Sequence, residues 1–197
     1  MTRRIAALAA IALVSTLGGA PAASATVACQ ARSESQVFSP WGDTRSYFPL
    51  AGGTFEAGTP SWSLSGGAAV VAGNEPWNRL GGTRSLSLPR GAAAAQSDAH
   101  CLTATEEAIR FFVKRPGVAG ARLHLYINVR NPVNGAVGTL DNDIDGAAAG
   151  WTAGQMLYIP DLLASSGTVY VYVRLEARGT SAAWQVDDVV IDPYKGR

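Results

Sequence analysis

The sequence predicts an all-β domain built as an antiparallel β-sandwich, and three observations support this fold class. Residues 122–130 alternate apolar and polar side chains, which is typical of a strand with one buried face. Residues 168–178 repeat the alternation, with valines on one side and tyrosines on the other. Shorter apolar segments are separated by Gly, Pro, Asn and Ser clusters at the intervals of a sandwich.

The remaining elements follow from the same patterns. Four shorter segments are predicted as strands: residues 68–72, 84–88, 109–115 and 183–192. The alanine-rich residues 91–98 begin with glycine and contain few apolar anchors, so we expect a loop or at most one helical turn there. Trp62 and Trp184 belong to alternating patterns, which predicts that both lie in the core. The sequence contains no internal repeat of the kind that indicates a propeller or a solenoid.

Length and charge limit the classes of function. The 197 residues are 47% hydrophobic and 16% charged, which fits one globular domain with a short appendage. Sixteen basic residues nearly balance 15 acidic ones, for a formal net charge of +1. This balance removes the usual electrostatic basis for binding nucleic acid or an anionic membrane surface.

The first residues have the features of a signal peptide. Arg3 and Arg4 precede an apolar run over residues 5–17, and the small residues 23–25 form a cleavage site. We therefore expect a signal peptide over residues 1–25, a single domain over residues 26–197, and secretion of the mature chain. The apolar run is shorter than the roughly 20 residues that a membrane span needs, and the export route stays open.

Two cysteines remain after the predicted cleavage. Cys29 and Cys101 are the only cysteines of the chain, so an oxidising compartment allows a single pairing. Neither cysteine lies in a Cys-x-x-Cys motif, which disfavours a catalytic thiol. We expect a structural disulfide that ties down the start of the domain.

The two long predicted strands indicate where a ligand could bind. If they lie in one sheet, their outward side chains form a face that mixes aromatic and polar groups. The binding residues predicted on this face are Tyr126, Asn128, Tyr170, Tyr172 and Arg174. Flat rings next to amide and charged donors suit the apolar face and hydroxyl rim of a sugar. The alternative is that tyrosine occurs here only because it favours strands.

Two tryptophans and an acidic segment suggest the rim of a cleft. Residues 141–146 match the first half of a calcium-binding loop, but Thr152 stands where that loop needs a bidentate glutamate. We expect a polar hairpin loop there, and a lone calcium ion in it stays an alternative. This loop and the neighbouring Trp151 would form one rim of a binding cleft, with Trp77 as an exposed ring on another.

Three segments, taken in order, resemble the jelly-roll, galactose-binding-like carbohydrate-binding modules. They are Gly-Gly-Thr-Phe-Glu-Ala-Gly at 52–58 followed by Trp62, Gly-Gly-Thr-Arg-Ser-Leu at 81–86, and Trp-Gln-Val-Asp-Asp-Val at 184–189. The resemblance covers roughly residues 50–192 and implies a jelly roll that binds a glycan without catalysis. The Ala- and Gly-rich composition and residues 73–76 also resemble small secreted proteins of actinobacteria.

The same resemblance implies a structural Ca²⁺ that joins the first and last strands. By motif position its carboxylate ligands are Glu56 and Asp187, with Asp188 as the substitute. Ca²⁺ takes six to eight oxygen ligands, and two carboxylates held together repel each other unless a cation neutralises them. The alternative is that Glu56 caps a turn and the aspartates are solvated.

The sequence therefore predicts a secreted, non-catalytic binding module with a glycan or cell-surface polymer as its partner. The first alternative is a protein-interaction or cell-surface structural module, because a tyrosine-rich face would serve a protein equally well. The second is a polysaccharide hydrolase with two carboxylates brought together by the fold. The two histidines, His100 and His124, lie outside any hydrolase motif, which disfavours an enzyme.

Overall fold

The computed structural model describes residues 29, 32–89, 91–103, 106, 108–159, 167–179 and 182–193. The predicted signal peptide over residues 1–25 lies outside these residues. In the described part of the chain, the only helical element is a 3₁₀ turn at Ser39–Trp41. No helix among the described residues has the length and apolar character needed to cross a membrane.

The described residues form thirteen strands. In chain order they are β1 (Phe48–Pro49), β2 (Trp62–Ser65), β3 (Ala69–Ala72), β4 (Arg84–Leu88), β5 (Ala94–Ser97), β6 (His100–Thr103), β7 (Ala108–Pro116), β8 (Arg122–Arg130), β9 (Val137–Asp145), β10 (Ala149–Ala153), β11 (Leu157–Tyr158), β12 (Thr168–Arg178) and β13 (Trp184–Asp192).

These strands pair antiparallel in two stacked sheets, which confirms the predicted sandwich. One sheet has the order β10-β7-β13-β4-β3, with β1 beside β13 and β11 beside β7. The other has the order β2-β5-β12-β8-β9, with β6 beside β12. The last strand, β13, lies beside the first strand, β1, and Phe48 of β1 pairs with Ile191 of β13.

The core lies between the two sheets and is filled by alternate residues of the strands. Val169, Val171, Val173 and Leu175 of β12 are fully buried, while the residues between them are half-buried on the outer face. Trp184 is fully buried as predicted, and so is nearly all of Trp62, which is 5% exposed. The period-two pattern therefore identified the faces of the long strands correctly.

Two local predictions were wrong. Residues 94–97 form β5 instead of a loop, because they pair with β2 on one side and β12 on the other. Residues 141–145 belong to β9 instead of a hairpin loop, since β9 pairs with β8 along its whole length. In both cases the pairing with neighbouring strands overrides the local composition.

The predicted disulfide between Cys29 and Cys101 is present, with an S–S distance of 2.01 Å. It joins the start of the described chain to β6.

Candidate functional site

The outer face of the sheet that contains β8 and β12 carries most of the predicted binding residues. We call it the tyrosine face, and it consists of Gln96, Tyr126, Asn128, Tyr170, Tyr172, Arg174 and Glu176. The register confirms that the two predicted strands are neighbours, because Tyr172 lies opposite Asn128 and Tyr126 lies opposite Arg174. Strand β12 is the middle strand of this sheet, so the tyrosines project from its centre.

Tyr170 and Tyr172 are available for contact with a ligand. Both side chains are half-buried and are two residues apart on β12, so they point the same way. Within the described residues, neither ring stacks on another aromatic ring, and neither hydroxyl group has a hydrogen-bond partner. These two tyrosines can therefore offer both an apolar ring face and a polar tip.

Tyr126 is more enclosed than the sequence suggested. The Arg178 guanidinium lies 5.4 Å from the centre of its ring and also donates a hydrogen bond to its hydroxyl group. The ring of His124 meets it edge-on at a centroid distance of 4.2 Å. Tyr126 is thus a wall of the tyrosine face, and a ligand would have to displace Arg178 to stack on it.

Ion pairs hold the charged side chains of the tyrosine face in place. Glu176 pairs with both Arg174, at 3.1 Å, and Arg178, at 3.0 Å. Partial burial opposes ionisation of Glu176, but the hydrogen bonds from the two arginines outweigh it and lower the pKa of the carboxyl group. The predicted donor Arg174 is therefore held in place by an ionised partner.

His124 lies between two carboxylates of the neighbouring strand. Its Nδ1 is 2.6 Å from Asp143 Oδ1, and its Nε2 is 2.8 Å from Asp141 Oδ1. The imidazole is nearly buried, whereas both aspartates are about half exposed. The acidic residues of β9 thus orient a histidine next to Tyr126.

Trp77 and Trp151 lie on the opposite side of the molecule from the tyrosine face. They pack against a small apolar cluster on the outer face of the other sheet, centred on Phe112 of β7 and Phe38. The acidic segment of β9 and Trp151 therefore do not form the two parts of one rim. The predicted ligand-binding residues divide into two groups on opposite faces.

Sequence reasoning missed Trp41, which belongs to the second group. Its ring meets that of Trp77 edge-on at a centroid distance of 4.8 Å, and both rings contact Phe112. Trp41 is 38% exposed and Trp77 is 39% exposed. The sequence signal was the turn Ser-Pro-Trp-Gly at 39–42, which ends with Gly42 at a φ of 78°.

The predicted metal ligands Asp187 and Asp188 are fully buried at an irregularity in β13. Asp187 accepts hydrogen bonds from the backbone N–H groups of Glu75 and Asp188. Asp188 accepts one from Leu80, and its other oxygen, Oδ1, is buried with no hydrogen-bond partner among the described residues. Its φ of 46° is in the left-handed region, which is uncommon for a residue with a side chain.

A third buried carboxylate, Glu75, lies beside this pair, and sequence reasoning did not identify it. Burial, followed by the charge of Asp188, raises the pKa of Asp187 to about 8. Burial, followed by the charge of Glu75, raises the pKa of Asp188 to about 7. Three acidic groups therefore share a poorly solvated pocket, and their charges repel one another.

Glu56 approaches this pocket from an exposed position. Its Oε1 accepts hydrogen bonds of 2.7 Å from the backbone N–H groups of both Thr83 and Arg84. A Cβ at Gly82 would lie 2.4 Å from Glu56 Oε1, so only glycine permits this approach. The charge of Glu56 adds a small contribution to the raised pKa of Asp188, the predicted substitute, so these two carboxylates interact.

The residues of this acidic pocket fit a calcium ion in part. The unpartnered Asp188 Oδ1 and the repulsion among the buried carboxylates both favour a bound cation. Among the described residues, no three Asp, Glu, His or Cys side chains are arranged to hold a metal ion. A calcium ion here would complete its coordination with backbone carbonyl groups and water.

A cavity of about 700 Å³ opens beside the disulfide, between the first described residues and β6. Its lining includes Arg32, Phe48, Asp98 and His100. Burial lowers the pKa of His100 to about 4, with smaller opposing effects from Asp98 and Arg32. The imidazole is therefore neutral at pH 7.

Comparison with known proteins identifies the fold. No protein-family model matches the sequence, and no curated protein matches it either. Among solved structures, a carbohydrate-binding module specific for non-crystalline cellulose aligns with a TM-score of 0.50 at 14% identity, over 76% of this chain and 96% of that module. The fold is thus found in a complete module of that protein class.

Two further structures contain the fold as part of a longer chain. The N-terminal modules of xylanase 10B from Clostridium thermocellum, complexed with xylohexaose, align with a TM-score of 0.50 at 20% identity. The active domain of tailspike protein 4 of bacteriophage CBA120 aligns with a TM-score of 0.52 at 15% identity. Each alignment covers 73% of this chain, but only 28% of the xylanase chain and 21% of the tailspike chain. The fold is the jelly-roll β-sandwich that carbohydrate-binding modules share.

Proposed function

We propose that this chain is an exported, non-catalytic carbohydrate-binding module whose ligand lies on the tyrosine face. The observation that carries the proposal is the pair Tyr170 and Tyr172, which projects from the middle strand of the sheet, with no described residue bound to either hydroxyl group. The fold shared with a cellulose-specific module supports the same function.

The polar groups around this pair suit a sugar. Asn128 lies opposite Tyr172 and already accepts a 2.9 Å hydrogen bond from Thr139, so its amide is held in one orientation. Gln96 lies opposite Arg174 on the other side of β12. Amide and guanidinium donors can bind sugar hydroxyl groups while the rings contact the apolar face of the pyranose.

The ligand class is a neutral polysaccharide. Among the solved structures of this fold, one module is specific for non-crystalline cellulose, and the xylanase modules are complexed with xylohexaose. Cellohexaose and xylohexaose are therefore the first probes. The near-neutral charge of the chain agrees with an uncharged ligand.

Substitution of the central tyrosines tests the proposal. Tyr172→Ala and Tyr170→Ala should each weaken binding of the hexasaccharide by about 1 to 3 kcal/mol in isothermal titration calorimetry. Because both side chains lie on the outer face, the melting temperature should change little. The matched control is Tyr158→Ala, which removes a tyrosine that is 58% exposed on the other sheet.

Unchanged affinity in both central variants would contradict the tyrosine face as the binding site. Release of reducing sugar from xylan or amorphous cellulose by the wild-type protein would contradict the non-catalytic assignment. Binding of neither hexasaccharide, with binding of a protein partner that Tyr172→Ala abolishes, would favour an interaction module instead.

We also propose that the acidic pocket holds a structural Ca²⁺, with Asp188 and Glu56 as its side-chain ligands and Asp187 beside them. Saturating Ca²⁺ should raise the melting temperature, because a ligand present at 100 times its Kd stabilises the folded state by about 2.7 kcal/mol. The variant Asp188→Asn should lose most of this response. Asp145→Asn, which alters a half-exposed aspartate on β9, should keep it.

Differential scanning calorimetry with and without EDTA measures the effect. Metal content before and after chelation is checked by mass spectrometry. An identical melting temperature after verified removal of the metal would exclude a structural role for calcium.

A further inference from the structure

The surface opposite the tyrosine face carries an open corner formed by two tryptophans. The indole rings of Trp41 and Trp77 are nearly perpendicular, at 88°, and their centroids are 4.8 Å apart. Each ring is more than one third exposed. A flat molecule placed in this corner would meet the face of one indole and the edge of the other.

Buried aromatic side chains support the corner from below. Phe112 contacts both indoles, at centroid distances of 5.5 Å for Trp41 and 5.4 Å for Trp77. Phe38 and Phe112 are fully buried, and Phe38 also contacts Trp41. The exposed rings therefore stand on a packed base that limits their movement.

Two loops form the corner, and Arg79 links them. Its guanidinium donates hydrogen bonds to the backbone carbonyl groups of Val37, at 2.9 Å, and Gln36, at 3.1 Å. It also donates a 3.2 Å bond to the Ser39 hydroxyl group, in the same turn as Trp41. The loop that carries Trp77 is thereby fastened to the segment that carries Trp41.

The loop that carries Trp77 is also anchored to the acidic pocket. The carboxylate of Glu75 accepts hydrogen bonds from the backbone N–H groups of Trp77 and Arg79. Asp188 accepts one from Leu80, at 3.3 Å. These contacts preorganise Trp77, so little conformational entropy is lost when a ligand binds.

The amide group of Asn78, next to Trp77, can bind a hydroxyl group. Asn78 is exposed, and its Oδ1 accepts a 3.0 Å hydrogen bond from Asn74. No described residue accepts a hydrogen bond from Asn78 Nδ2, whereas Asn74 Oδ1 is buried and out of reach of a ligand. The corner thus combines apolar ring faces with one hydrogen-bond donor.

The size of the exposed patch decides between a small ligand and a macromolecular partner. A stable protein interface buries about 800 Å² on each partner, with a large aromatic or aliphatic core. Two indoles that are 38% and 39% exposed supply only a small part of that area. A single sugar ring is of the size that they can cover.

We propose that Trp41 and Trp77 form a second glycan-binding site, which takes one pyranose ring of a neutral oligosaccharide. This inference rests on the proposed carbohydrate-binding function and adds a site on the opposite face. One chain could then contact two polysaccharide strands at once, one on each sheet.

Titration of the wild-type chain with cellohexaose and xylohexaose tests the second site. We expect the indole N–H signals of Trp41 and Trp77 to shift in the proton–nitrogen correlation spectrum, while that of the buried Trp184 stays in place. This measurement needs no substitution and so does not depend on whether a variant folds. Absence of any shift at both signals, with shifts at the tyrosine face, would overturn the inference and leave the proposed function intact.

Variants separate the two sites. Trp77→Ala and Trp41→Ala should weaken the second binding event about tenfold or more, which corresponds to about 1.4 kcal/mol. Tyr172→Ala should weaken only the binding event on the tyrosine face and is the matched control. Circular dichroism and melting temperature confirm that each variant is folded.

Each result has a defined meaning. If the tryptophan variants lose binding and Tyr172→Ala binds as well as the wild type, the result would support the second site and contradict the tyrosine face. Equal stoichiometry in the wild type and the tryptophan variants would overturn the second site. A wild-type chain that binds neither hexasaccharide contradicts both, and a change of oligomeric state in Trp77→Ala would instead identify the corner as a contact between copies.

Discussion

The protonation of His100 couples pH to stability. His100 lines the cavity beside the disulfide, its Nε2 is buried and has no hydrogen-bond partner in the described part of the chain, and its pKa is lowered to about 4. The charged groups that act on it are Asp98, which favours the imidazolium, and Arg32, which opposes it. Desolvation dominates both and keeps the ring neutral in the folded protein.

We predict that acidification destabilises the fold through His100. The unfolded chain takes up a proton near the ordinary histidine pKa of 6.5, whereas the folded chain takes it up only near 4. The stability contribution is therefore fully present above pH 6.5 and is lost as the pH falls toward 4. Urea unfolding gives the free energy of unfolding at pH 7.0 and at pH 4.5. Between these pH values, it should fall by about 1 to 2 kcal/mol less for His100→Gln than for the wild type.

The comparison between the wild type and His100→Gln separates the effect of His100 from that of the other titrating groups. The buried Asp187 and Asp188 have raised pKa values and contribute with the opposite sign, but they contribute equally to wild type and variant. Parallel losses in both proteins would show that His100 titrates normally.

Strand β12 illustrates how one element depends on a side chain to complete its hydrogen bonds. On one edge it pairs first with β6, through Thr168 to Val171, and then with β5, from Arg174 onward. At the gap between these partners, the backbone N–H of Val173 donates a 2.9 Å hydrogen bond to the Ser97 hydroxyl group. Ser97 is only 2% exposed, so water cannot replace it readily.

We predict that Ser97→Ala destabilises the fold by about 1 to 3 kcal/mol, because it leaves a buried backbone donor unsatisfied. Urea unfolding monitored by circular dichroism measures the change. Ser63→Ala on β2 is the control, since Ser63 is exposed and should change the free energy of unfolding by less than about 0.5 kcal/mol. A loss for Ser97→Ala no larger than for the control would mean that Val173 finds another acceptor.

The elements of the second face depend on each other in a similar way. The segment that carries Trp41 packs over Phe112 and Val190. The loop that carries Trp77 donates backbone hydrogen bonds to the carboxylates of Glu75 and Asp188. A cation in the acidic pocket would therefore stabilise the Trp77 loop as well as β13.

At the scale of the whole molecule, the disulfide limits how far the chain can separate when it unfolds. Cys29 and Cys101 are 72 residues apart in sequence, and their bond ties the beginning of the domain to β6. Closing a loop of this length restricts the unfolded chain and stabilises the fold by about 4 kcal/mol in the chain-entropy model.

We predict that the double variant Cys29→Ser and Cys101→Ser unfolds at a lower urea concentration, with a loss of about 4 kcal/mol. Chemical reduction of the wild type should produce a similar loss and serves as the control for effects of the serine side chains. A loss below about 1 kcal/mol would indicate that the unfolded chain is compact without the bond.

The stacking of the two sheets also determines which residues can contact the same ligand. Tyr172 and Trp77 project from opposite outer faces, and the full thickness of the sandwich separates them. The predicted ligand-binding residues therefore lie on two separate surfaces. This arrangement is a property of the stacked sheets, and the order of residues along the chain does not reveal it.

The sequence by itself determined the sandwich, the long strands, the disulfide and the inward tryptophans. These follow from local period-two alternation and from a count of two cysteines, both of which can be read without knowing what lies beside each strand. The resemblance to carbohydrate-binding modules also placed Asp187 and Asp188 on the last strand, where the structure has them, and their role as calcium ligands stays a prediction.

Only the tertiary structure decided which outward side chains are covered. Arg178 encloses Tyr126, Glu75 joins the two aspartates, and Trp41 meets Trp77 although 36 residues separate them along the chain. Pairing with neighbouring strands likewise produces β5 and β9. The alanine-rich segment of β5 pairs with β12, and the acidic segment of β9 pairs with β8. Such contacts depend on long-range register and on loops that cross a sheet, and local sequence patterns carry no information about either.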